Sequence, residues 1–83
     1  MTPEKVILAA LRDGRFILTI HALERMQKRS VSKEDIKEVG KTATTISYQE
    51  DKGTYRIKGK DLDGEELTVI CGIDQGVVIV TFF

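Results

Sequence analysis

The only histidine of this 83-residue sequence is followed at four-residue intervals by two arginines, in the segment TIHALERMQKRSVS. His21, Arg25 and Arg29 thus stand at positions i, i+4 and i+8, so on a helix their side chains project from one side. Arginine makes bidentate, charged contacts to phosphate, and histidine exchanges protons near neutral pH. The spacing therefore predicts a candidate catalytic site for a phosphate-containing substrate. The alternative is an ordinary solvated helix face beside a turn.

RNA is the substrate for which such a set of side chains is sufficient, because RNA supplies its own nucleophile, the 2′-hydroxyl. Cleavage then needs a base for the 2′ proton, an acid for the leaving 5′ oxygen, and cations for the charge that develops on phosphorus. His21 is the candidate acid or base, and Arg25 and Arg29 are the candidate cations. We expect no cofactor and no metal, because the sequence has neither metal-ligand spacing nor a glycine-rich phosphate loop.

Two cations and two tyrosines on predicted strands are candidate substrate-binding residues. In the segment TYRIKGK, alternation puts Arg56 and Lys58 on one face and Tyr55 on the other. Tyr48 and Tyr55 are candidates for stacking on RNA bases. The alternatives are that the charges only protect an edge strand from aggregation and that the tyrosines form a cross-strand pair.

Helical signals dominate the first half of the chain. They predict helices over residues 3–12, 20–29 and 33–39. Ser32 and Asp35 have the spacing of a capping box for the third helix, and Gly40 is expected to close it. The apolar residues of the second helix occupy one arc, which we expect to face the core: Ile20, Ala22, Leu23 and Met26.

After residue 43 the apolar period changes to two. The segments ATTISYQ, TYRIKGK, ELTVICGI and VVIVTFF predict four strands, separated by short connections that contain glycine. The earlier segment RFILT is too short to classify and is either an extended link or a brief strand. The pattern predicts one α+β domain over residues 1–83, with N-terminal helices packed on a four-stranded antiparallel sheet.

Composition limits the classes of protein to which this chain can belong. No apolar run approaches the roughly 20 residues needed to cross a bilayer, and the first residues lack the features of a secretory signal. We therefore expect a cytoplasmic protein with no membrane partner. The net charge is zero, but all 13 lysines and arginines lie within residues 1–60, and the charged residues within 61–83 are all acidic. Such asymmetry can give a neutral molecule one positive face.

Three segments, HALERMQKRSVSKEDIKEV, YRIKG and VVIVTFF, resemble the domain-of-unknown-function family 4258 over about residues 15–83. That family is similar to the RelE/ParE-like toxin group, which includes the BrnT-type ribonuclease toxins of bacterial toxin–antitoxin pairs. The resemblance implies a RelE-like fold with helices on one side of a curved antiparallel sheet. It also implies metal-independent mRNA cleavage, restraint by an antitoxin protein, and functional roles for His21, Arg25 and Arg29.

The first hypothesis is therefore a toxin-type, metal-independent ribonuclease that resembles mRNA interferases and acts on RNA, either free or bound to the ribosome. The residues leave open whether the protein is an enzyme at all. A second hypothesis is a non-catalytic interaction module that forms a homodimer through its apolar C-terminal strands. A third is nucleic-acid binding without cleavage, which predicts an affinity that falls steeply with salt.

Overall fold

The computed structural model of the protein describes residues 2–83, so Met1 of the predicted domain lies outside the described residues. Within that range the chain forms three α-helices and one five-stranded sheet, which confirms the α+β class. The second helix has the predicted bounds, and all four predicted strands form. In chain order the elements are α1 (Pro3–Asp13), β1 (Phe16–Leu18), α2 (Ile20–Arg29), α3 (Lys33–Thr42), β2 (Thr45–Gln49), β3 (Thr54–Lys60), β4 (Glu66–Ile73) and β5 (Val77–Phe82).

The predicted capping box begins α3. The Ser32 hydroxyl accepts a hydrogen bond from the Asp35 backbone N–H at 3.2 Å, and the Asp35 carboxylate accepts one from the Ser32 N–H at 2.8 Å. The other carboxylate oxygen of Asp35 accepts a hydrogen bond from the Leu62 N–H at 3.0 Å. The hydrogen bond from Ser32 is the main reason that the pKa of Asp35 lies below its ordinary value. Asp35 therefore both caps α3 and ties it to the connection between β3 and β4.

The sequence predicted that Gly40 would close α3, but the helix continues to Thr42. The glycine instead allows α1 and α3 to cross closely. A Cβ atom built on Gly40 would lie 2.7 Å from Leu11 Cβ and 2.9 Å from the Arg12 backbone nitrogen. The prediction was wrong because a glycine required for close packing and a glycine required for a left-handed cap look the same in the sequence.

The sheet has the strand order β1-β5-β4-β3-β2, so the prediction of a four-stranded antiparallel sheet is corrected to five strands. Strands β2 to β5 form the expected antiparallel meander. The fifth strand comes from the unclassified segment RFILT, which pairs in parallel with β5 from Phe16 opposite Val77 to Leu18 opposite Ile79. Local sequence could not classify β1 because its pairing partner lies at the far end of the chain.

The helices cover only one face of the sheet. On that face α3 packs against β3 and β4, α2 packs against β5, and α1 packs against α3. Ile57, Val69 and Ile79 of the three central strands are completely buried there. We call the opposite, uncovered side of the sheet the open face. It carries the residues that alternate with the buried ones, including Arg56 and Lys58 of β3.

Candidate functional site

Arg56 and Lys58 are exposed neighbours on the open face, as the alternation along β3 predicts. Ser47 and Ile70 flank Arg56 in the sheet, while Thr45 and Thr68 flank Lys58. Lys58 Nζ lies 3.5 Å from Glu66 Oε1, whereas no acid within residues 2–83 forms an ion pair with Arg56. Arg56 is therefore a cation of the open face that has no carboxylate partner among the described residues and lies next to side-chain hydroxyls.

Two grooves of about 410 and about 360 Å³ run across the open face. Arg56 and Phe83 line both of them. The first groove is otherwise polar, with three hydroxyl-bearing side chains, Thr45, Ser47 and Thr68, beside Lys58 and Glu66. The second is more apolar and includes Ile70 and Val80. A chain with alternating charged and flat apolar groups would match this surface better than a purely charged ligand.

Phe83 is a site residue that sequence reasoning missed. The Arg56 guanidinium lies over its ring, 5.1 Å from the centroid, and 46% of the residue is exposed. The Phe83 backbone exchanges two hydrogen bonds of 2.8 Å with Thr68 of β4, so it continues the sheet beyond β5. Its signal was present in the sequence: successive strand residues point to opposite faces, so a buried Phe82 leaves Phe83 on the open face.

Tyr48 and Tyr55 lie on the other side of the sheet from Arg56 and Lys58. They are directly paired across β2 and β3, and their ring centroids are 4.9 Å apart at a tilt of 49°. Tyr55 packs against the core, and this partial burial raises the pKa of its hydroxyl, with a smaller contribution from the charge of Glu4. The structure therefore divides the four predicted substrate-binding residues between two faces.

Helix α2 packs through a narrower surface than its apolar arc predicts. Ala22 is completely buried and Met26 packs against the core, but Ile20 and Leu23 are 76% and 46% exposed. The expectation that the whole arc faces the core is therefore wrong. The helix lies against β5, next to the β1 edge of the sheet, and this position gives it too little surface to cover its full arc.

The two arginines of α2 converge on Phe82 rather than on His21. Arg25 Nε donates a hydrogen bond to the Phe82 carbonyl oxygen at 2.9 Å, and the Arg29 guanidinium lies over the Phe82 ring at 5.8 Å from the centroid. His21 is exposed in the first turn of α2 and makes no hydrogen bond within residues 2–83. The predicted catalytic residues lie on the helix-covered side, so they do not form one site with Arg56 and Lys58.

Three further findings bear on the kind of site. Among the described residues, no three His, Cys, Asp or Glu side chains are gathered as a metal site would require. The single cysteine, Cys71, is completely buried in the core, and its desolvation raises the pKa of the thiol to about 12. Across residues 2–83, no helix has the length and apolarity to cross a lipid bilayer.

Comparison with known proteins identifies the family. Residues 18–83 match the family described as Domain of unknown function (DUF4258), and this range contains α2, α3 and all of β2 to β5. The chain therefore belongs to the DUF4258 family. No curated protein and no solved structure matches the chain.

Proposed function

We propose that this member of the DUF4258 family is an RNA-binding protein of the RelE/ParE-like toxin group, and that its open face is the RNA-binding surface. The observation that carries the proposal is the arrangement of Arg56, Lys58 and Phe83 around two adjoining grooves. Arg56 and Lys58 supply positive charge for phosphates, and the Phe83 ring supplies a flat apolar surface for a base. Single-stranded RNA presents both groups at short, regular intervals.

The polar groove adds groups that suit a ribose-phosphate chain. Thr45 and Ser47 are exposed and bring hydroxyls that can donate to phosphate or accept from the ribose 2′-hydroxyl. The Lys58 ammonium is shared with Glu66 at 3.5 Å, a weak surface contact that a phosphate can replace. The groove therefore offers RNA several contacts without breaking any hydrogen bond of the sheet.

The activity that we propose for the bound RNA is metal-independent cleavage by its own 2′-hydroxyl. His21 remains the candidate acid or base and Arg29 the candidate cation, whereas Arg25, the other predicted cation, is bonded through Nε to the Phe82 carbonyl oxygen and has no role at phosphorus in this proposal. RNA held on the open face would reach His21 around the β1 edge, because α2 packs against β5 on the covered side. An antitoxin protein, expected for a toxin of this group, would restrain the activity by covering the same face.

RNA binding is tested by fluorescence anisotropy of a labelled, unstructured single-stranded RNA over a range of salt concentrations. We expect log Kd of the wild type to rise linearly with log salt. The double variant Arg56→Ala/Lys58→Ala should bind more weakly, with a slope smaller by about 1.4, since each lost phosphate contact removes about 0.7. Wild-type protein that does not bind RNA, or binds it independently of salt, would refute the proposal.

The matched control removes the same charge from the helices. Lys5→Ala/Lys41→Ala deletes two exposed lysines from α1 and α3, on the covered side of the sheet. This variant should keep the wild-type affinity and the wild-type salt slope. If this variant loses as much RNA affinity as Arg56→Ala/Lys58→Ala, net charge alone drives the binding, and the open face is not the site.

A homodimer through the open face is the second candidate, and exposed apolar residues favour it. Ile17, Val80 and Phe83 are 60%, 37% and 46% exposed. Two facing copies would also bring two sets of Arg56 and Lys58 into one interface, and this repulsion favours RNA as the occupant. Light scattering over a concentration series decides between them: a dimer that Val80→Glu dissociates supports the second candidate, and a monomer at all concentrations excludes it.

A further inference from the structure

The last residues of β5 are held differently on their two sides. On the β4 side, the Phe83 backbone pairs with Thr68. On the other side, β1 pairs with β5 only as far as Ile79. Beyond Ile79, two side chains rather than the β1 backbone donate hydrogen bonds to the carbonyl oxygens of β5. Thr19 Oγ1 donates to the Val80 carbonyl oxygen at 2.9 Å, and Arg25 Nε donates to the Phe82 carbonyl oxygen, also at 2.9 Å.

This stretch of β5 needs the additional support because its pairing with β4 is irregular. Cys71 pairs with Ile79, but the adjacent Ile70 pairs with Thr81, so Val80 is an extra residue without a partner in the ladder. Such a bulge interrupts the ladder and bends its strand. The segment after the bulge leads directly to Phe83, the aromatic side chain shared by both grooves.

We propose that Arg25 is a positioning residue for the open face: its hydrogen bond to the Phe82 carbonyl fixes the end of β5 and so holds the Phe83 ring under Arg56, where an RNA base can stack. The inference rests on the proposed RNA binding. Arg25 itself lies on the covered side of the sheet and contacts no ligand on the open face. It acts on RNA only through the backbone of the residue next to Phe83.

The chemistry of the contact makes it specific to one atom of Arg25. The bond uses Nε, the fourth side-chain atom, and it satisfies a carbonyl in a partly buried position. Glutamine carries an N–H donor at the same distance along its side chain, and methionine carries a methyl group there. Arg25→Gln and Arg25→Met are therefore matched uncharged variants, one with a donor and one without.

RNA affinity separates positioning from charge. We expect Arg25→Gln to bind single-stranded RNA like the wild type and Arg25→Met to bind about fivefold more weakly, as partial loss of one base stack implies. Both variants should keep the wild-type salt slope, because Arg25 touches no phosphate. Lys28→Ala, which removes an exposed charge from the same helix, should change neither the affinity nor the slope.

A double-variant cycle tests whether the effect passes through the aromatic ring. In a Phe83→Ala background, Arg25→Met should cause no further loss of RNA affinity, because the group that it positions is already absent. If the losses of RNA affinity caused by Arg25→Met and Phe83→Ala are additive in the double variant, the inference is overturned. Equal weakening by Arg25→Gln and Arg25→Met together with a smaller salt slope would also overturn it, because that result assigns Arg25 to direct phosphate binding.

Amide hydrogen exchange tests the positioning without RNA. The Phe83 amide should exchange at least several-fold faster in Arg25→Met than in wild type or Arg25→Gln, while the amide of Ile57 in the sheet interior stays unchanged. Unchanged exchange at Phe83 would overturn the inference even if the wild type binds RNA. If exchange at Phe83 is faster in Arg25→Met but the wild-type protein fails to bind RNA, the positioning of Phe83 by Arg25 is retained and only its link to RNA is refuted.

Discussion

Leu11 of α1 and Gly40 of α3 are in direct contact at the point where the two helices cross. A Cβ atom on Gly40 would lie 2.7 Å from the Cβ atom of Leu11, a distance that real Cβ atoms do not adopt. Leu11 is completely buried, and Gly40 lies in the same layer. The helix layer that covers one side of the sheet therefore depends on the absence of a side chain at residue 40.

Gly40→Ala should destabilise the protein, although alanine is the better helix former. Overpacking against Leu11 and the Arg12 backbone costs about 1–3 kcal/mol, and the gain in helix propensity offsets about 1 kcal/mol of that. We expect the free energy of unfolding to fall by up to about 2 kcal/mol, measured by urea denaturation. The control is Gly72→Ala, where a Cβ would meet no atom within 4 Å. Equal stability changes in the two variants would contradict this account of the helix crossing.

Asp35→Ala should destabilise α3 in a manner that depends on pH. At pH 7 the carboxylate's hydrogen bonds from the Ser32 and Leu62 N–H groups are lost, which should cost about 1 kcal/mol of unfolding free energy, while the bond from the residue-35 N–H to the Ser32 hydroxyl remains. Because the pKa of Asp35 is lowered on folding, its contribution is present above the unfolded-state pKa and is lost as the pH falls through the folded-state pKa. The difference between wild type and variant should therefore shrink below about pH 4. The measurement is the denaturation midpoint of each protein across pH, with Asp51→Ala as a control at an exposed position. A stability difference between wild type and Asp35→Ala that does not change with pH would contradict the prediction.

His21→Ala should separate RNA cleavage from RNA binding. If His21 is the acid or base, cleavage in the presence of chelator should fall by about 10²–10⁴-fold, while RNA affinity stays within about twofold of wild type. Mapping of cleavage ends on RNA, with and without translating ribosomes, provides the measurement. Glu24→Ala alters the same exposed helix three residues away and should cleave normally. Cleavage by His21→Ala at the wild-type rate would remove His21 from the mechanism.

Cys71 should be inert to thiol reagents in the folded protein. Desolvation raises the pKa of its thiol to about 12, so the reactive thiolate is scarce at neutral pH, and the residue is also completely inaccessible. We expect an aromatic disulfide reagent to label it only at the rate of global unfolding and to label it at once in denaturant. Rapid labelling of the native protein would show that β4 opens locally.

The sequence predicted the elements of this fold better than their packing. The bounds of α2 follow from signals within a few residues, but its orientation does not: Ile20 and Leu23 are exposed because the helix lies beside the sheet edge. In the same way, β1 has only three residues, and it becomes a strand through pairing with β5. Features of this kind depend on distant parts of the chain, which no local pattern contains.

The candidate site was predictable to a similar degree. Alternation along β3 correctly placed Arg56 and Lys58 together on one face. It also separated Tyr55 from them, and direct pairing with Tyr55 carries Tyr48 to the same side. The arrangement around Phe82 could not be read from spacing, because Arg25 finds its partner 57 residues away. Whether His21 acts in catalysis stays a prediction.

The parallel pairing of β1 with β5 also sets an order of events when the chain is made. Thr19 and Val80 are joined by a hydrogen bond although they are 61 residues apart. A nascent chain can form α1, α3 and the β2–β4 ladder from nearby segments, but β1 and the outer edge of β4 wait for β5 to be synthesised. Until then the edges of β1 and β4 that pair with β5 have unpaired backbone N–H and C=O groups. Pairing β1 with β5 also closes a long loop, which is intrinsically slow. The time just before β5 is synthesised is therefore when this protein is most exposed to aggregation and proteolysis.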